Sequence, residues 1–234
     1  MKYKAIFFDR DNTLTYGNPQ KIQWRNNIIE SWSGKKFEMD YDKMMELFNK
    51  AGYAYDGFKN IEDEMEFWKR YYKEILIGEG IDENLDERSN LLFAEFWCNG
   101  ERLLFEEVID VLEYFKGQGY KMGVISDTSI SLQLTLENLG LGKYFDSYTS
   151  SNAVGVMKPD PKIYNVALES LGVKAEESLY VDDYDIEADG ARVLGFTAFH
   201  IDRKGNSESP WTIRSLREIV DYVKSVGTIP DESN

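Results

Sequence analysis

The chain has 234 residues, a formal net charge of −15 and an aromatic content of 14%. This length suits one large domain, or a medium domain that carries an insert. The composition is that of a folded globular protein, and the acidic balance argues against non-specific binding to nucleic acid or anionic membranes, because both require a basic face.

The cysteine content and the N-terminus bear on location. Cys98 is the single cysteine, so no internal disulfide can form, which fits a reducing cytoplasm. Its neighbours are Trp97 and Asn99 in an aromatic segment, and we expect a packed thiol rather than a nucleophile. The apolar run in MKYKAIFFD is too short for a signal sequence, and no later stretch is apolar enough to span a bilayer. We therefore expect a soluble, cytoplasmic protein.

The first predicted element is a buried β-strand at residues 3–9, YKAIFFD. From residue 17 to about residue 103 the sequence changes to long helical segments rich in aromatic residues and methionine. Apolar residues recur there at three- and four-residue steps, which predicts helices within 40–52, 60–78 and 83–97. Such stripes are typical of a helical core rather than of a cofactor site. We therefore predict an all-helical insert over residues 17–103.

Beyond residue 104, helices and strands alternate. Strands are predicted at 120–126, 146–150, 177–183 and 197–201, and helices at 105–119, 131–145, 161–172, 186–196 and 210–227. With the first strand, this alternation predicts a parallel sheet of five strands joined by right-handed crossovers and covered by helices on both faces. The predicted fold class is α/β, a three-layer α/β/α core of residues 1–16 and 104–234 with the inserted helical domain.

Polar side chains follow the predicted strands at the ends where open parallel sheets bind ligands. They are Asp9 and Asp11 after the first strand, Ser126 and Asp127 after the second, Lys158 before the helix at 161–172, and Asp182 and Asp183 after the fourth. Carboxylates, a hydroxyl and a lysine at one edge suit magnesium-assisted phosphoryl transfer. Mg²⁺ prefers oxygen ligands such as carboxylates, and the phosphoryl oxygens require hydrogen-bond donors and a cation around them.

The first two carboxylates suggest how such a reaction would proceed. An aspartate can attack phosphorus to give an aspartyl-phosphate, and a second carboxylate can protonate the leaving alcohol and then deprotonate water. Residues 9 and 11 lie on the same side of an extended chain, so we expect both side chains to face one phosphorus atom.

Four motifs, in order, resemble those of the haloacid dehalogenase superfamily. DRDNT followed by Leu14 is similar to its Asp-x-Asp-x-Thr motif, Ser126 after MGVI to its second, KPDPKIY to its third and YVDDYDIEADGARVLGF to its fourth. The resemblance covers the whole chain apart from the details of the insert. It implies a Rossmann-like core with a helical cap inserted after the first motif, at residues 17–103.

The resemblance also implies a role for each matching residue. Asp9 would be the nucleophile, and Asp11 the general acid and base. Ser126, with Asp127 beside it, would bind the phosphoryl group, while Lys158 would brace both the phosphate and the nucleophile. Asp127 replaces an asparagine of many relatives and adds negative charge, so we expect it to point away or to pair with a basic group.

The implied cofactor is Mg²⁺, with Asp9, Asp183 and the backbone carbonyl of Asp11 as ligands, which leaves the Asp11 side chain free for proton transfer. Many family members carry Gly-Asp where this chain has Asp182 and Asp183. The spacing to GARVLGF favours Asp183 as the metal ligand, although Asp182 stays open. Glu187 occupies the second acidic position of this motif, either in the ligand shell or on the helix surface.

The predicted function is a Mg²⁺-dependent phosphatase that hydrolyses a small phosphorylated metabolite through an aspartyl-phosphate intermediate. A phosphomutase acting on a sugar phosphate is the alternative. A 2-haloacid dehalogenase shares the fold but needs no metal and usually lacks the second aspartate, so Asp11 counts against it. A catalytically silent binding protein is disfavoured because all the expected catalytic residue types are present.

His200, at the end of the last predicted strand, is predicted to be structural or on the surface. Substrate identity and oligomeric state stay open.

Overall fold

In a computed structural model, residues 2–54 and 57–227 are described, and the chain divides into two compact units. The first unit comprises residues 1–16, 104–128 and 140–234, and the second comprises residues 17–103 and 129–139. Each unit has a hydrophobic core of its own. Among the described residues, none of the helices combines the length and apolar character that a membrane span requires.

The strands of the described residues are, in chain order, β1 (Ala5–Phe8), β2 (Thr15–Gly17), β3 (Arg102–Leu104), β4 (Lys121–Ser126), β5 (Ser147–Ser150), β6 (Ser178–Asp182), β7 (Thr197–Ile201) and β8 (Thr212–Ile213). Strands β2 and β3 pair with each other, and the other six form a parallel sheet in the order β5-β4-β1-β6-β7-β8. Every residue of β1 and β6 is buried, as expected for central strands of a parallel sheet.

The α-helices are α1 (Pro19–Ser33), α2 (Tyr41–Ala51), α3 (Ile61–Gly78), α4 (Leu85–Phe96), α5 (Val108–Gly117), α6 (Leu132–Asn138), α7 (Ser151–Val154), α8 (Pro161–Leu171), α9 (Asp185–Val193) and α10 (Arg217–Gly227), with a 3₁₀ turn at Ala175–Glu177. In the first unit, α8 and α9 cover one face of the sheet, and α5, which contacts α10, covers the other. Phe7 of β1 accordingly packs in the cluster with Tyr164, whereas Phe8 contacts Phe115 of α5. This three-layer arrangement confirms the predicted α/β fold class and the Rossmann-like core.

The second unit is helical. Helices α2 and α3 are capped at their N-termini by Asp40 and Asn60, whose side chains accept a backbone N–H of the first turn. Helix α2 ends at Gly52, whose positive φ of 77° suits glycine. The apolar stripes of α2, α3 and α4 meet in one buried cluster, to which Leu47 and Leu92 belong.

Residues 129–139 belong to the helical unit, although the sequence pattern predicts them in the α/β core. The backbone N–H and the hydroxyl of Ser131 donate to the fully buried Glu64 at 3.0 and 2.6 Å. Ile130 packs against the apolar cluster of this unit. An amphipathic pattern predicts that a helix buries one face, but it carries no information about which of two cores receives that face.

Two predicted helices are shorter than expected. Helix α6 ends at Asn138, before Gly140 with its φ of 78°, and the predicted helix at 210–227 begins only at residue 217. Residues 212–213 form β8 instead, a sixth strand that the sequence analysis did not predict. The carbonyl of Ile213, a buried residue, accepts the N–H of Asp202, so pairing with the preceding chain replaces the first helical turns.

Candidate active site

One buried lysine links three carboxylates at the carboxyl edge of the sheet. Asp9 follows β1, and its N–H donates to the carbonyl of Val181 in β6 at 2.8 Å. Lys158, before α8, places its Nζ 2.8 Å from Asp9 Oδ1 and 2.7 Å from Asp182 Oδ2. Glu187 of α9 brings Oε2 to 2.7 Å from the same nitrogen. The strand ends and the start of α9 therefore converge on a single ammonium group.

Burial sets the electrostatics of this cluster. It raises the pKa of Asp9 to about 7, with Asp182 adding to the effect and Lys158 opposing it. It likewise raises the pKa of Glu187 to about 8. Burial alone would lower the pKa of Lys158, but Tyr180 and the surrounding carboxylates raise it well above its ordinary value. Three carboxyl groups thus share one ammonium group.

The structure gives Asp182 and Glu187 internal partners. Asp182 is fully buried, and its Oδ2 accepts from both Lys158 and the Tyr180 hydroxyl. Its Oδ1 accepts the N–H of Tyr184 at 2.9 Å. Because both Asp182 oxygens accept protein donors and Glu187 pairs with Lys158, these two carboxylates hold the lysine in place.

Asp183 has a different environment, at the wall of a pocket of about 330 Å³. Its side chain is partly exposed, and Oδ2 accepts from Asn12 Nδ2 at 2.9 Å. Its backbone carbonyl lies 3.1 Å from Nε2 of His200. Burial raises the pKa of Asp183, although the Asn12 hydrogen bond opposes this. The pocket is lined by Asn12, Phe105, Asp183, His200, Ile201, Asp202, Arg203 and Lys204.

The chain turns sharply after Asp9 and does not stay extended. The N–H groups of Leu14 and Thr15 both donate to the carbonyl of Arg10, at 3.0 and 2.9 Å. Asn12 has a φ of 56°, in the left-handed region that asparagine tolerates better than most residues. The expectation that residues 9 and 11 lie along an extended chain is therefore wrong, because these hydrogen bonds close residues 10–15 into a loop.

The carboxylate of Asp11, predicted to transfer protons, is paired with protein donors in the structure. The Arg10 guanidinium donates to both of its oxygens, at 2.7 and 3.2 Å, and the Thr15 hydroxyl donates at 3.1 Å. Arg10 is itself buried, while the Asp11 side chain is 44% exposed. The carboxylate therefore stays at the surface of the first unit, held by its own loop.

The second motif lies on β4, next to β1 in the sheet. Ser126 is the last residue of β4 and is buried. Asp127 accepts the backbone N–H of Lys158 at 3.1 Å, and burial raises the pKa of Asp127. Asp127 is therefore paired with a backbone N–H, that of Lys158, and not with the charged end of a basic side chain. This contact joins the second motif to the third.

The donor set fits Mg²⁺, which takes one or two carboxylates together with waters and substrate oxygens. Asp9 and Asp183 follow neighbouring strands, and burial disfavours the charged form of each, so a nearby cation would stabilise both carboxylates. Within residues 2–54 and 57–227, no three His, Cys, Asp or Glu side chains form a metal-binding group. A site of two carboxylates and the backbone carbonyl of Asp11 does not require a third.

The structure adds two residues to this region that sequence reasoning missed, Arg203 and Glu107. His200, predicted to be structural or on the surface, lines the pocket beside Asp183. Arg203 contacts the loop at residues 10–15, and Glu107 pairs with Arg203. Polar residues beyond the carboxyl ends of strands are the candidates for ligand contacts, and the same rule applied to β7 would have selected Arg203, two residues beyond that strand. Glu107, before α5, carries no such signal.

Comparison with known proteins agrees with the motifs. The family profile of haloacid dehalogenase-like hydrolases matches residues 3–195. A glyceraldehyde 3-phosphate phosphatase of Methanocaldococcus jannaschii is 29% identical over 95% of this chain and 98% of its own. An (S)-2-haloacid dehalogenase of Pseudomonas sp. strain YL is 32% identical over 85% and 82% of the two chains.

A solved structure of an HAD phosphatase from Thermococcus onnurineus has the same fold, with a TM-score of 0.65 at 24% identity over 94% of this chain and 97% of that one. The resemblance drawn from the four motifs is thereby confirmed. The chain belongs to the haloacid dehalogenase-like hydrolase family.

Proposed function

We propose that this protein is a Mg²⁺-dependent phosphatase that hydrolyses a small phosphorylated metabolite in the cytoplasm. The observation that carries the proposal is the position of Asp183. This partly exposed carboxylate follows β6, which pairs with the strand that precedes Asp9. Its neighbour Asp182 instead accepts from Lys158 and Tyr184. A carboxylate kept apart from the lysine cluster in this way is suited to hold a cation next to the nucleophile.

Asp9 is the nucleophile in this proposal. Its Oδ1 is held by Lys158, which fixes the carboxylate at the strand end and leaves Oδ2 to attack phosphorus. The phosphoryl group then forms an acyl phosphate on Asp9. Ser126 and nearby backbone N–H groups donate to the phosphoryl oxygens, and the Lys158 ammonium offsets their charge.

Asp11 moves the protons. It gives a proton to the leaving alcohol and later takes one from the water that cleaves the acyl phosphate. In the structure its carboxylate is held by Arg10 and Thr15, so a change of side-chain torsion or a repositioned Arg10 precedes proton transfer. Asp9, Asp183 and the Asp11 carbonyl would hold Mg²⁺, which supplies charge neutralisation at the phosphoryl oxygens.

A relative that aligns along nearly the whole chain is a glyceraldehyde 3-phosphate phosphatase. We therefore take a short phosphorylated metabolite, such as a triose phosphate, as the first substrate to test. Residues 17–103 are proposed to act as the cap domain that selects it. A phosphomutase would use the same acyl phosphate, but it would return the phosphoryl group to a bound sugar phosphate.

The test measures release of inorganic phosphate from a panel of phosphorylated metabolites, with Mg²⁺ and with EDTA. We expect release that EDTA abolishes and that Asp9→Asn lowers to background while the melting temperature stays close to that of the wild type. Substantial turnover by Asp9→Asn would contradict the nucleophile assignment. Formation of an isomeric sugar phosphate without free phosphate would instead identify a mutase.

Because a dehalogenase is also among the relatives, the same preparations are assayed for halide release from a 2-haloacid. We expect none, since Asp11 and Asp183 supply an acid–base group and a cation ligand that carbon–halogen cleavage does not need. Halide release without metal would overturn the phosphatase proposal. Absence of both activities, also with p-nitrophenyl phosphate, would indicate a binding protein.

A further inference from the structure

Arg203 makes an extensive set of contacts with the loop that carries the first motif. Its Nε donates to the carbonyl of Asn12 at 2.9 Å, and one terminal nitrogen donates to the carbonyl of Thr13 at 2.7 Å. The guanidinium carbon lies 3.4 Å from the ring centroid of Phe105. All of these residues belong to the first unit, so the side chain joins the segment after β7 to the loop after β1.

Glu107 fixes the direction of this guanidinium. The other terminal nitrogen of Arg203 donates to Glu107 Oε1 at 2.7 Å, and the side chains are 18% and 4% exposed, respectively. Burial alone would raise the pKa of Glu107, but the hydrogen bond and charge of Arg203, together with backbone N–H donors, lower the pKa below its ordinary value. The Leu216 N–H at 3.4 Å adds a longer contact to the same oxygen. An arginine held at three nitrogens and stacked on a ring has little rotamer freedom left.

One of the two carbonyls that Arg203 binds belongs to Asn12, whose side chain contacts Asp183, and the other belongs to the next residue, Thr13. Asn12 has a φ of 56°, and from this backbone conformation its Nδ2 donates to Asp183 Oδ2 at 2.9 Å. A non-glycine residue in the left-handed region is less stable than one in the helical region, so the surrounding contacts must maintain it. Arg203 supplies two of those contacts.

We propose that Arg203, oriented by Glu107, is a positioning residue that holds the Asn12–Thr13 backbone so that Asn12 orients the carboxylate of Asp183. Arg203 acts through the loop and does not touch the reacting atoms in this proposal. The expected effect of Arg203 on catalysis rests on the proposed phosphatase function, whereas its expected effect on the conformation of the loop does not. We call the contacts of Arg203 with the Asn12 and Thr13 carbonyls the Arg203 clamp. Without this clamp, the loop at residues 10–15 can change conformation, and Asp183 loses its hydrogen bond from the Asn12 amide.

Amide hydrogen exchange measured in EDTA tests whether the Arg203 clamp keeps the loop closed, and it needs neither substrate nor metal. The amides of Asn12, Leu14 and Thr15 are all bonded within the loop, so they report on its opening. In Arg203→Ala we expect these amides to exchange about tenfold faster or more, while those of β4 change little. Arg217→Ala is the matched control, because Arg217 is 54% exposed and contacts Glu106 at the surface.

Enzyme kinetics and Mg²⁺ binding provide a second test of the proposal. Arg203→Ala should lower kcat by about 10- to 100-fold with a small change in KM, because a displaced loop misplaces the reacting groups without removing substrate contacts. The Mg²⁺ dissociation constant from calorimetry should rise. Asn12→Gly keeps the left-handed backbone accessible but removes the amide, and its effect should not add to that of Arg203→Ala.

If Arg203→Ala does not fold, the same measurements are made on Arg203→Lys. Lysine keeps the charge opposite Glu107 but lacks the planar fork that binds two carbonyls at once, so loop exchange and kcat should still change. Wild-type exchange at residues 10–15 in a folded Arg203 variant would overturn the proposal, as would additive effects of Asn12→Gly and Arg203→Ala. If the wild-type protein releases no phosphate, the proposed function fails while the exchange result still stands.

Discussion

The Lys158 ammonium lies 2.8 Å from the Asp9 carboxylate, and both groups are almost completely buried. The same nitrogen also contacts Asp182 and Glu187. These three carboxylates share one cation, and removing one partner of a buried ion pair is strongly destabilising. This lysine therefore links the stability of the core to the geometry of the nucleophile.

Lys158→Met removes that cation while preserving side-chain length. We expect loss of phosphatase activity and a free energy of unfolding lower by about 3–5 kcal/mol near neutral pH, because the buried Asp9 and Asp182 and the partly exposed Glu187 lose their shared cation. The loss should be smaller at about pH 5, where the carboxylates can take up protons. Urea denaturation at both pH values measures it. The control is Lys162→Met, in which an exposed lysine of α8 is replaced, and equal effects of the two substitutions would contradict this account.

The raised pKa of Glu187 predicts how stability changes with pH. Its value in the folded protein is about 8, because of burial and the neighbouring Asp182, against a reference of 4.5. Between these values the native state binds a proton that the unfolded state has released, so stability falls as pH rises and levels off above the folded pKa. Denaturation midpoints in EDTA should follow this trend, and Glu187→Gln should make the decline shallower. Glu169→Gln, at an exposed site of α8, should leave the slope unchanged, and parallel curves for all three proteins would refute the assignment.

Gly123 in β4 leaves no room for a methyl group. A Cβ there would lie 2.6 Å from Ser147 Oγ and 2.7 Å from Phe7 Cδ1. Gly123→Ala should therefore lower the free energy of unfolding by about 1–3 kcal/mol, since the central strands have to move apart. At Gly117, the last residue of α5, an added Cβ meets nothing within 4 Å. Gly117→Ala should be neutral or stabilising, and chemical denaturation of the two variants distinguishes crowding from a general effect of glycine replacement.

Glu64 organises the helical unit from a fully buried position. Besides Ser131, it accepts from the indole nitrogens of Trp68 at 3.1 Å and Trp97 at 3.3 Å. Glu64→Ala takes the acceptor away from the buried Ser131 and from the two partly buried indoles. We therefore expect the free energy of unfolding, followed by tryptophan fluorescence, to fall by about 3–5 kcal/mol.

The control for this prediction lies on the same helix. Glu66 has a side chain that is 59% exposed and pairs with Lys69 at the surface. Glu66→Ala should change the unfolding curve little, because surface ion pairs contribute little to stability. If the two alanine variants unfold alike, Glu64 does not have the role assigned to it.

The periodic parts of the chain could be predicted from the sequence because their signal is local. The apolar run at residues 3–9 and the alternating strands and helices after residue 104 indicate a parallel sheet, and the strand-end rule selects Asp9, Ser126 and Asp183. The strand β8 was missed because Thr212 and Ile213 form only two residues of sheet inside a helical pattern. Residues 129–139 were assigned to the wrong unit, since the contact of Ser131 with Glu64 joins positions far apart in the chain.

The sequence by itself determined the fold class, the family motifs and the residue types available for chemistry, because these depend on short-range periodicity and spacing. Only the tertiary structure decided how the acidic residues divide their roles. Asp182 and Glu187 bind Lys158, whereas Asp183 contacts Asn12 and Asp11 contacts Arg10. Neighbouring carboxylates look alike in a sequence, and they differ only through burial and through partners that the fold brings from distant positions.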